Sequence, residues 1–403
     1  MPFGSEGLQA GIGLALSGGG FRASLFHAGS LCRLNELGYL SRLDRISSVS
    51  GGSITAGILA LKWEDLKSAN FDQGVLVKQV IEPLKAFCRR DVDLPSVIKG
   101  ILVPWKSVSE YVAAQYSEGL YGPTTLQQLP DYPRFIFNST NLATGVDFRF
   151  SKPYAGDYRI GLIKQPGFTL ARAVAASSAF PPVLSPATFK VDPNAFQKVP
   201  GADLYEDITF RKRLLLTDGG VYDNLGLETV WKRLKTLLVS DAGAPFDYGG
   251  IQGRDWLRET LRVITIFSHQ AWSLRTSLLV RMYQGQEREG AYWGIGKPIE
   301  RYQLPDALAV PAEVTQRLAK IRTRLNPFSE EEQCTLINWG YAACDAAVRK
   351  YTRPPKSTVP RWPYPNFPLS QESLSGVKAK DTPDFVEPVP QPKEPPKLPV
   401  ARA

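Results

Sequence analysis

Two strand–turn–helix units follow each other at the start of the chain, and they constrain the fold more than any other feature. The first is an apolar run, Ile12 to Leu16, then Ser17-Gly18-Gly19-Gly20, then a helical pattern. Phe21, Leu25, Ala28, Leu31 and Leu34 recur there at steps of three and four, and Gly38 is placed to end the helix. The second is Arg45 to Val49, then Ser50-Gly51-Gly52, then an apolar helix from Ser53 to Trp63. Successive units of this kind call for a parallel sheet with helices on both faces.

The rest of the chain extends that pattern. Arg134 to Thr140, Phe148 to Phe150, Leu214 to Thr217, Leu237 to Ser240 and Arg262 to Phe267 read as strands. Thr169 to Ala179 reads as an alanine-rich helix stopped by Phe180-Pro181-Pro182. Residues 70–131 read as a helical insertion or cap carrying Trp105, Tyr111, Tyr116 and Tyr121. Ala271 to Trp293 reads as a helix in which Arg275, Arg281 and Arg288 alternate with Trp272, Met282 and Tyr283. The expected organisation is a main domain over 10–300, a helical extension over 301–352 and a tail over 353–403. Proline occupies 13 of the tail's 51 positions, so the tail is expected to be extended or disordered. Within it, Arg361 to Pro368 carries Trp362, Tyr364 and Phe367 as anchors for docking.

Composition excludes several classes. Hydrophobic residues at 43% and charged residues at 22% rule out a disordered or disulfide-stapled chain. Cys32, Cys88, Cys334 and Cys344 form no CxxC pair and are expected to be reduced, as in a cytosolic protein. No apolar run is long enough to span a bilayer, and no leader pattern opens the sequence. The formal charge of +9 suits an anionic membrane surface or nucleic acid without selecting either. His27 and His269 are the only histidines, which leaves little for a histidine metal site.

Three short motifs lie at expected strand ends, the edge where open parallel sheets collect ligands. Gly18-Gly19-Gly20 would expose backbone N–H groups beside a helix N-terminus, a cradle for a phosphate or an oxyanion. Ser48-Val49-Ser50-Gly51-Gly52 would put Ser50 on a sharp strand-to-helix turn, as a nucleophile or as a plain helix cap. Asp218-Gly219-Gly220 would set a carboxylate on a tight turn, with Asp241 before Ala242-Gly243 as its rival. For a proton acceptor, His27 sits two turns into a helix and His269 follows an expected strand. A carboxylate base needs neither.

Taken in order, these motifs resemble the patatin-like phospholipase family, whose pattern is a glycine-rich loop, a G-x-S-x-G elbow and a later D-G-G/A. Gly18-Gly19-Gly20-Phe21-Arg22, Ser48 to Gly52 and Asp218-Gly219-Gly220 carry the likeness, and Ala171 to Pro182 resembles the family's cleft-lining stretch. Two positions depart from it: Ser48 replaces the first elbow glycine, and Ala23 stands where the loop often has another glycine. The resemblance implies a three-layer α/β/α fold with a mostly parallel central sheet, and a Ser50–Asp218 dyad. It implies an oxyanion hole from Gly18, Gly19 and Gly20, supported by Arg22, Ser48, Gly51, Gly52, Gly219 and Gly220. The expected activity is a phospholipase A-type hydrolysis of glycerophospholipid esters with no metal or other cofactor. Rivals are an acyltransferase or general carboxylesterase, and a non-catalytic anion- or nucleotide-binding module on the same fold. A lipid ester substrate and an anionic membrane surface are the expected partners, with no nucleic acid. The expected location is the cytoplasm or the inner face of a membrane.

Overall fold

The structure is a computed structural model that describes residues 7–93, 108–246, 248 and 256–370. Its centre is an 11-stranded sheet. The strands and main helices are, in chain order, β1 (Gln9–Leu16), α1 (Gly20–Glu36), β2 (Arg45–Val49), α2 (Gly51–Leu61), α3 (Val108–Tyr116), β3 (Arg134–Asn141), β4 (Asp147–Phe150), β5 (Tyr154–Asp157), β6 (Gly161–Lys164) and α4 (Leu170–Ser177). There follow β7 (Ala187–Lys190), β8 (Phe196–Gln197), β9 (Arg213–Asp218), the short α5 (Glu228–Trp231), β10 (Leu234–Asp241), α6 (Trp256–Gln284), β11 (Glu289–Gly294) and α7 (Glu330–Tyr351). The sheet order is β11-β10-β1-β2-β3-β4-β5-β6-β8, and the first five of these run parallel. From β4 onward the sheet turns antiparallel.

Strand alternation sorts the core into two sides. Leu14 and Leu16 of β1 face a core shared with Leu25, Ile54 and Ile337, from α1, α2 and α7. Ala15 and its neighbour Val239 face the other way, onto Val230 of α5 and Leu279 and Met282 of α6. This is the expected three-layer α/β/α arrangement, and the part of the sheet between these layers, from β11 to β3, is parallel.

Helix α1 is buried on every side, so each of its polar groups needs a partner inside the protein. Arg33 meets Asp345 of α7 at 2.6 Å, both side chains being buried. Gly29 lets α1 touch α7 backbone to backbone, because a Cβ there would collide with the Ile337 carbonyl oxygen. Helix α7, in the expected extension, therefore belongs to the same core as α1. Residues 70–131 are mostly helical where described, and Leu76, Val80, Ile81, Phe87 and Tyr116 join that core too. Trp105 lies outside the described residues.

The start of the proline-rich tail is docked on the body. Arg33 donates to the Thr358 carbonyl and hydroxyl, and Asn338 Nδ2 donates to the carbonyls of Tyr364 and Phe367. Leu369 is buried. Residues 371–403 lie outside the described residues.

Two expected elements are corrected. Arg262 to Phe267 is not a strand; it lies within α6, where Val263, Ile264, Ile266 and Phe267 are exposed. The expected helix to Trp293 ends at Gln284, and Trp293 lies in β11, paired with Ser240 of β10. Gly290 permits that edge pairing, because its φ is 131° and a Cβ would run into the Leu237 carbonyl oxygen.

Candidate active site

Neighbouring strand ends bring the first two motifs together. Leu16 pairs with Ser48, so the glycine loop after β1 and the turn after β2 emerge side by side. A Cβ at Gly18 would stand 3.2 Å from the Ser50 Cβ. Ser50 has φ 51° and ψ −118°, a strained conformation for a residue with a side chain. The turn closes only around glycines. A Cβ at Gly51 would collide with the Gly20 carbonyl oxygen, and one at Gly52 would lie 2.5 Å from the Leu16 carbonyl oxygen. Ser48, two residues before Ser50, is buried, donates to the Ile136 carbonyl and accepts from Ser53 Oγ.

Asp218 reaches Ser50 by an antiparallel approach. Strand β2 pairs with β3 only as far as Val49 opposite Asn138. Strand β9 then takes over the same edge of β3, running the opposite way, with Asp218 opposite Ser139. The ends of β2 and β9 thus meet head to head. Helix α4 clamps the two turns: Ser50 N–H donates to Ser177 Oγ, Gly219 N–H to the Ser177 carbonyl, and Asp218 N–H to the Ala179 carbonyl. Ser177 Oγ itself donates to the Asn138 carbonyl at 2.6 Å. Sequence reasoning singled out the stretch Ala171 to Pro182 but not Ser177 or Ala179 within it; a buried serine in an alanine-rich helix was the available signal.

Burial dominates the electrostatics of Asp218. It pushes the carboxyl up to about 6, against the lowering influence of the Gly220 N–H and of the Ser50 hydroxyl. Oδ1 accepts the Gly220 N–H at 2.7 Å. Oδ2 is buried and completes no hydrogen bond, so the Ser50 hydroxyl is near but not aligned on it. Gly219 packs where a Cβ would press on the Asn138 carbonyl oxygen, and a Cβ at Gly220 would stand 2.6 Å from Asn224 Oδ1.

The glycine loop divides its work. Gly18 N–H donates to the Asn224 carbonyl and is not free to meet a ligand. Gly19 has φ 144° and Gly20 φ 59°, and among the described residues neither N–H has an acceptor. Both lie at the start of α1, whose positive end favours an anion. Arg22 does not face a ligand. Its buried guanidinium donates to the carbonyls of Ala242, Ala319 and Ile321, tying the loop to the β10 end, and burial lowers its pKa to about 10.

The remaining candidates are engaged elsewhere. Asp241 ends β10, on the far side of β1 from Ser50, about 10 Å away across two strand spacings. Its Oδ2 accepts from Trp272 Nε1 and Tyr292 OH, both at 2.7 Å, and its Oδ1 accepts the Gly243 N–H. His27 is buried between Ser240 Oγ and the Ser17 carbonyl, and burial lowers it to about 4. His269 does not follow a strand. It sits on α6 beside Phe246 and Trp272, with ring centroids 4.6 and 5.3 Å away.

A family model, patatin-like phospholipase, matches residues 14–231, from β1 through α5. The chain belongs to the patatin-like phospholipase family. No curated protein matches it. Among solved structures, it is similar to human GIVD cytosolic phospholipase A2 in complex with methyl gamma-linolenyl fluorophosphonate and terbium chloride, at 15% identity and a TM-score of 0.47. That likeness covers 84% of this chain and 57% of the human one. VipD from Legionella pneumophila is similar at 14% identity and a TM-score of 0.35, over 85% of this chain and 67% of that one. The chain thus spans little more than half the length of the human protein.

Proposed function

We propose that this patatin-like protein is a lipid acyl hydrolase that cleaves glycerophospholipid esters with Ser50 as nucleophile and Asp218 as base. The observation that carries the reading is the head-to-head meeting of β2 and β9. It sets a strained serine beside a buried carboxylate whose Oδ2 has no other partner. In the first step Asp218 takes the Ser50 proton as Oγ attacks the ester carbonyl carbon. The oxyanion is met by the N–H groups of Gly19 and Gly20, while Gly18, Gly51 and Gly52 permit the close packing of loop and elbow. Collapse breaks the ester C–O bond, and the leaving alcohol takes the proton back from Asp218. Water then attacks the acyl-enzyme with Asp218 again as base, releasing the fatty acid and restoring Ser50.

The test is labelling of Ser50 by a fluorophosphonate probe, together with hydrolysis of a panel of phospholipids and a soluble ester. The wild type should label and hydrolyse; Ser50→Ala should do neither. A folded wild type that does not label and cleaves no ester would fit a non-catalytic anion-binding module instead. Faster transfer to an added alcohol than to water would make it an acyltransferase.

A further inference from the structure

Helix α6 is longer than the layer it belongs to. Its 29 residues reach about 44 Å at ~1.5 Å per residue, whereas the eight residues of β10 cover about 26 Å. Two hydrogen bonds fix how it lies. Trp272 Nε1 holds Asp241 at the C-terminal end of β10, and Tyr283 OH holds the Leu237 carbonyl further down the strand. The helix therefore runs antiparallel to β10. Everything before Trp272, from Trp256 to Ala271, projects about 24 Å beyond the edge of the sheet at which Ser50 and Asp218 sit.

One line along the helix, most of it on the projecting half, exposes apolar side chains. Trp256, Val263, Phe267, Leu274 and Leu278 are spaced seven, four, seven and four residues apart, which keeps them in one line on a straight helix. Trp256 is 77% exposed, Phe267 65% and Leu274 72%. Ile264 stands beside them at 52%. Leaving such a line in water is unfavourable, and contiguous exposed apolar surface marks an interaction site. It is a different surface from the basic–aromatic one read from the sequence. Trp272 and Tyr283 are tied to β10, Met282 and Trp293 are buried, Arg275 pairs with Asp223, and Arg288 donates to the Trp231 carbonyl.

Two further observations say what covers the line. The projecting half carries Arg258 and Arg262 against Glu259, a net charge of +1, and Arg281 further along the helix adds to it. A second copy seated on it would bring two such helices together, whereas an anionic surface complements it. Apolar side chains also stand beside the dyad: Phe180 and Val183 follow Ala179, whose carbonyl holds Asp218, and Val221 lies three residues after Asp218. All three are exposed.

We propose that the projecting half of α6, with Phe180, Val183 and Val221, is the face through which the protein docks on an anionic lipid bilayer. Trp256, Val263, Ile264 and Phe267 enter the interfacial layer, and the docked edge is the one at which a lipid ester would meet Ser50. The choice of a bilayer rests on the proposed lipid substrate, but binding needs no turnover. The experiment therefore uses full-length Ser50→Ala, cosedimented with phosphatidylcholine vesicles and with vesicles that also contain phosphatidylglycerol. Binding should favour the anionic vesicles and weaken several-fold when salt rises from about 0.1 to about 0.5 M. Replacing Ile264 and Phe267 together by Gln should weaken it at least about tenfold without shifting the melting temperature, since both side chains are exposed. Leu8→Gln, at an exposed apolar position just before β1 and so at the opposite edge of the sheet, is the control and should bind like its parent. Equal binding of the Ile264/Phe267 variant and its parent overturns the proposal. So does a parent that ignores vesicles, including one that sediments as a dimer which the double substitution dissociates. Loss of ester hydrolysis in the wild type with vesicle binding intact would count against the hydrolase reading alone.

Discussion

Asp218→Asn should make the protein more stable while it abolishes hydrolysis. The carboxyl is raised from an ordinary 3.8 to about 6, because its ionised form is held in a buried site. Keeping that charge in the folded protein at neutral pH therefore costs about 3 kcal/mol, at ~1.36 kcal/mol for each pH unit. Asparagine removes the charge and keeps an oxygen for the Gly220 N–H. Its NH2 group would point where Oδ2 now lacks a partner, beside the Ser50 hydroxyl, which can accept. Imperfect geometry there leaves a net gain of about 1–3 kcal/mol, or about 1–4 °C in melting temperature for a chain of this length. The sign follows from the raised pKa. Above about 6 Asp218 is ionised in both the folded and the unfolded chain, and the full cost applies. As pH falls through about 6 the folded chain takes up a proton first, and the cost fades. Below the unfolded value near 3.8 both states are protonated and the advantage of asparagine is gone. The assay is a thermal melt of wild type and variant at about pH 8 and about pH 4.5, with soluble-ester hydrolysis measured beside it. A variant that melts at or below the wild type at the higher pH, or an advantage that does not shrink with acid, would refute the argument from burial.

The same shift predicts that kcat/KM for a soluble ester rises with pH through an apparent pKa near 6, close enough to histidine that the profile alone does not name the base. His27→Gln and His269→Gln should therefore be compared with Asp218→Asn: the histidine variants should keep most activity in folded protein, and a hundredfold loss in either would implicate a histidine. Removal of residues 371–403 should leave soluble-ester hydrolysis unchanged. Removal from 353 onward should lower the melting temperature by several degrees, because Arg33 loses Thr358 and Asn338 loses Tyr364 and Phe367; an unchanged melt would show that this docking contributes nothing.

The sequence alone carried the local chemistry: strands ending in glycines and serines, a helix opening behind each turn, and three motifs in a telling order. These are short-range features, set by side-chain volume, backbone freedom and apolar periodicity within a dozen residues. It misled where a short apolar run is ambiguous. Arg262 to Phe267 is β-branched and apolar like a strand, yet no neighbouring strand is there to pair with it, and the helix on either side prevails. Glu289 to Gly294 becomes a strand because β10 offers a free edge, not because its glycines favour one. Which of Asp218 and Asp241 stands beside Ser50 is set by the tertiary structure, since both end buried strands, one before Gly219 and the other before Ala242-Gly243. Their fates differ because β9 runs antiparallel into the end of β2, whereas β10 lies on the other side of β1, where Trp272 and Tyr292 occupy its aspartate. Strand order and direction are long-range choices made by the whole core, and no spacing along the chain records them.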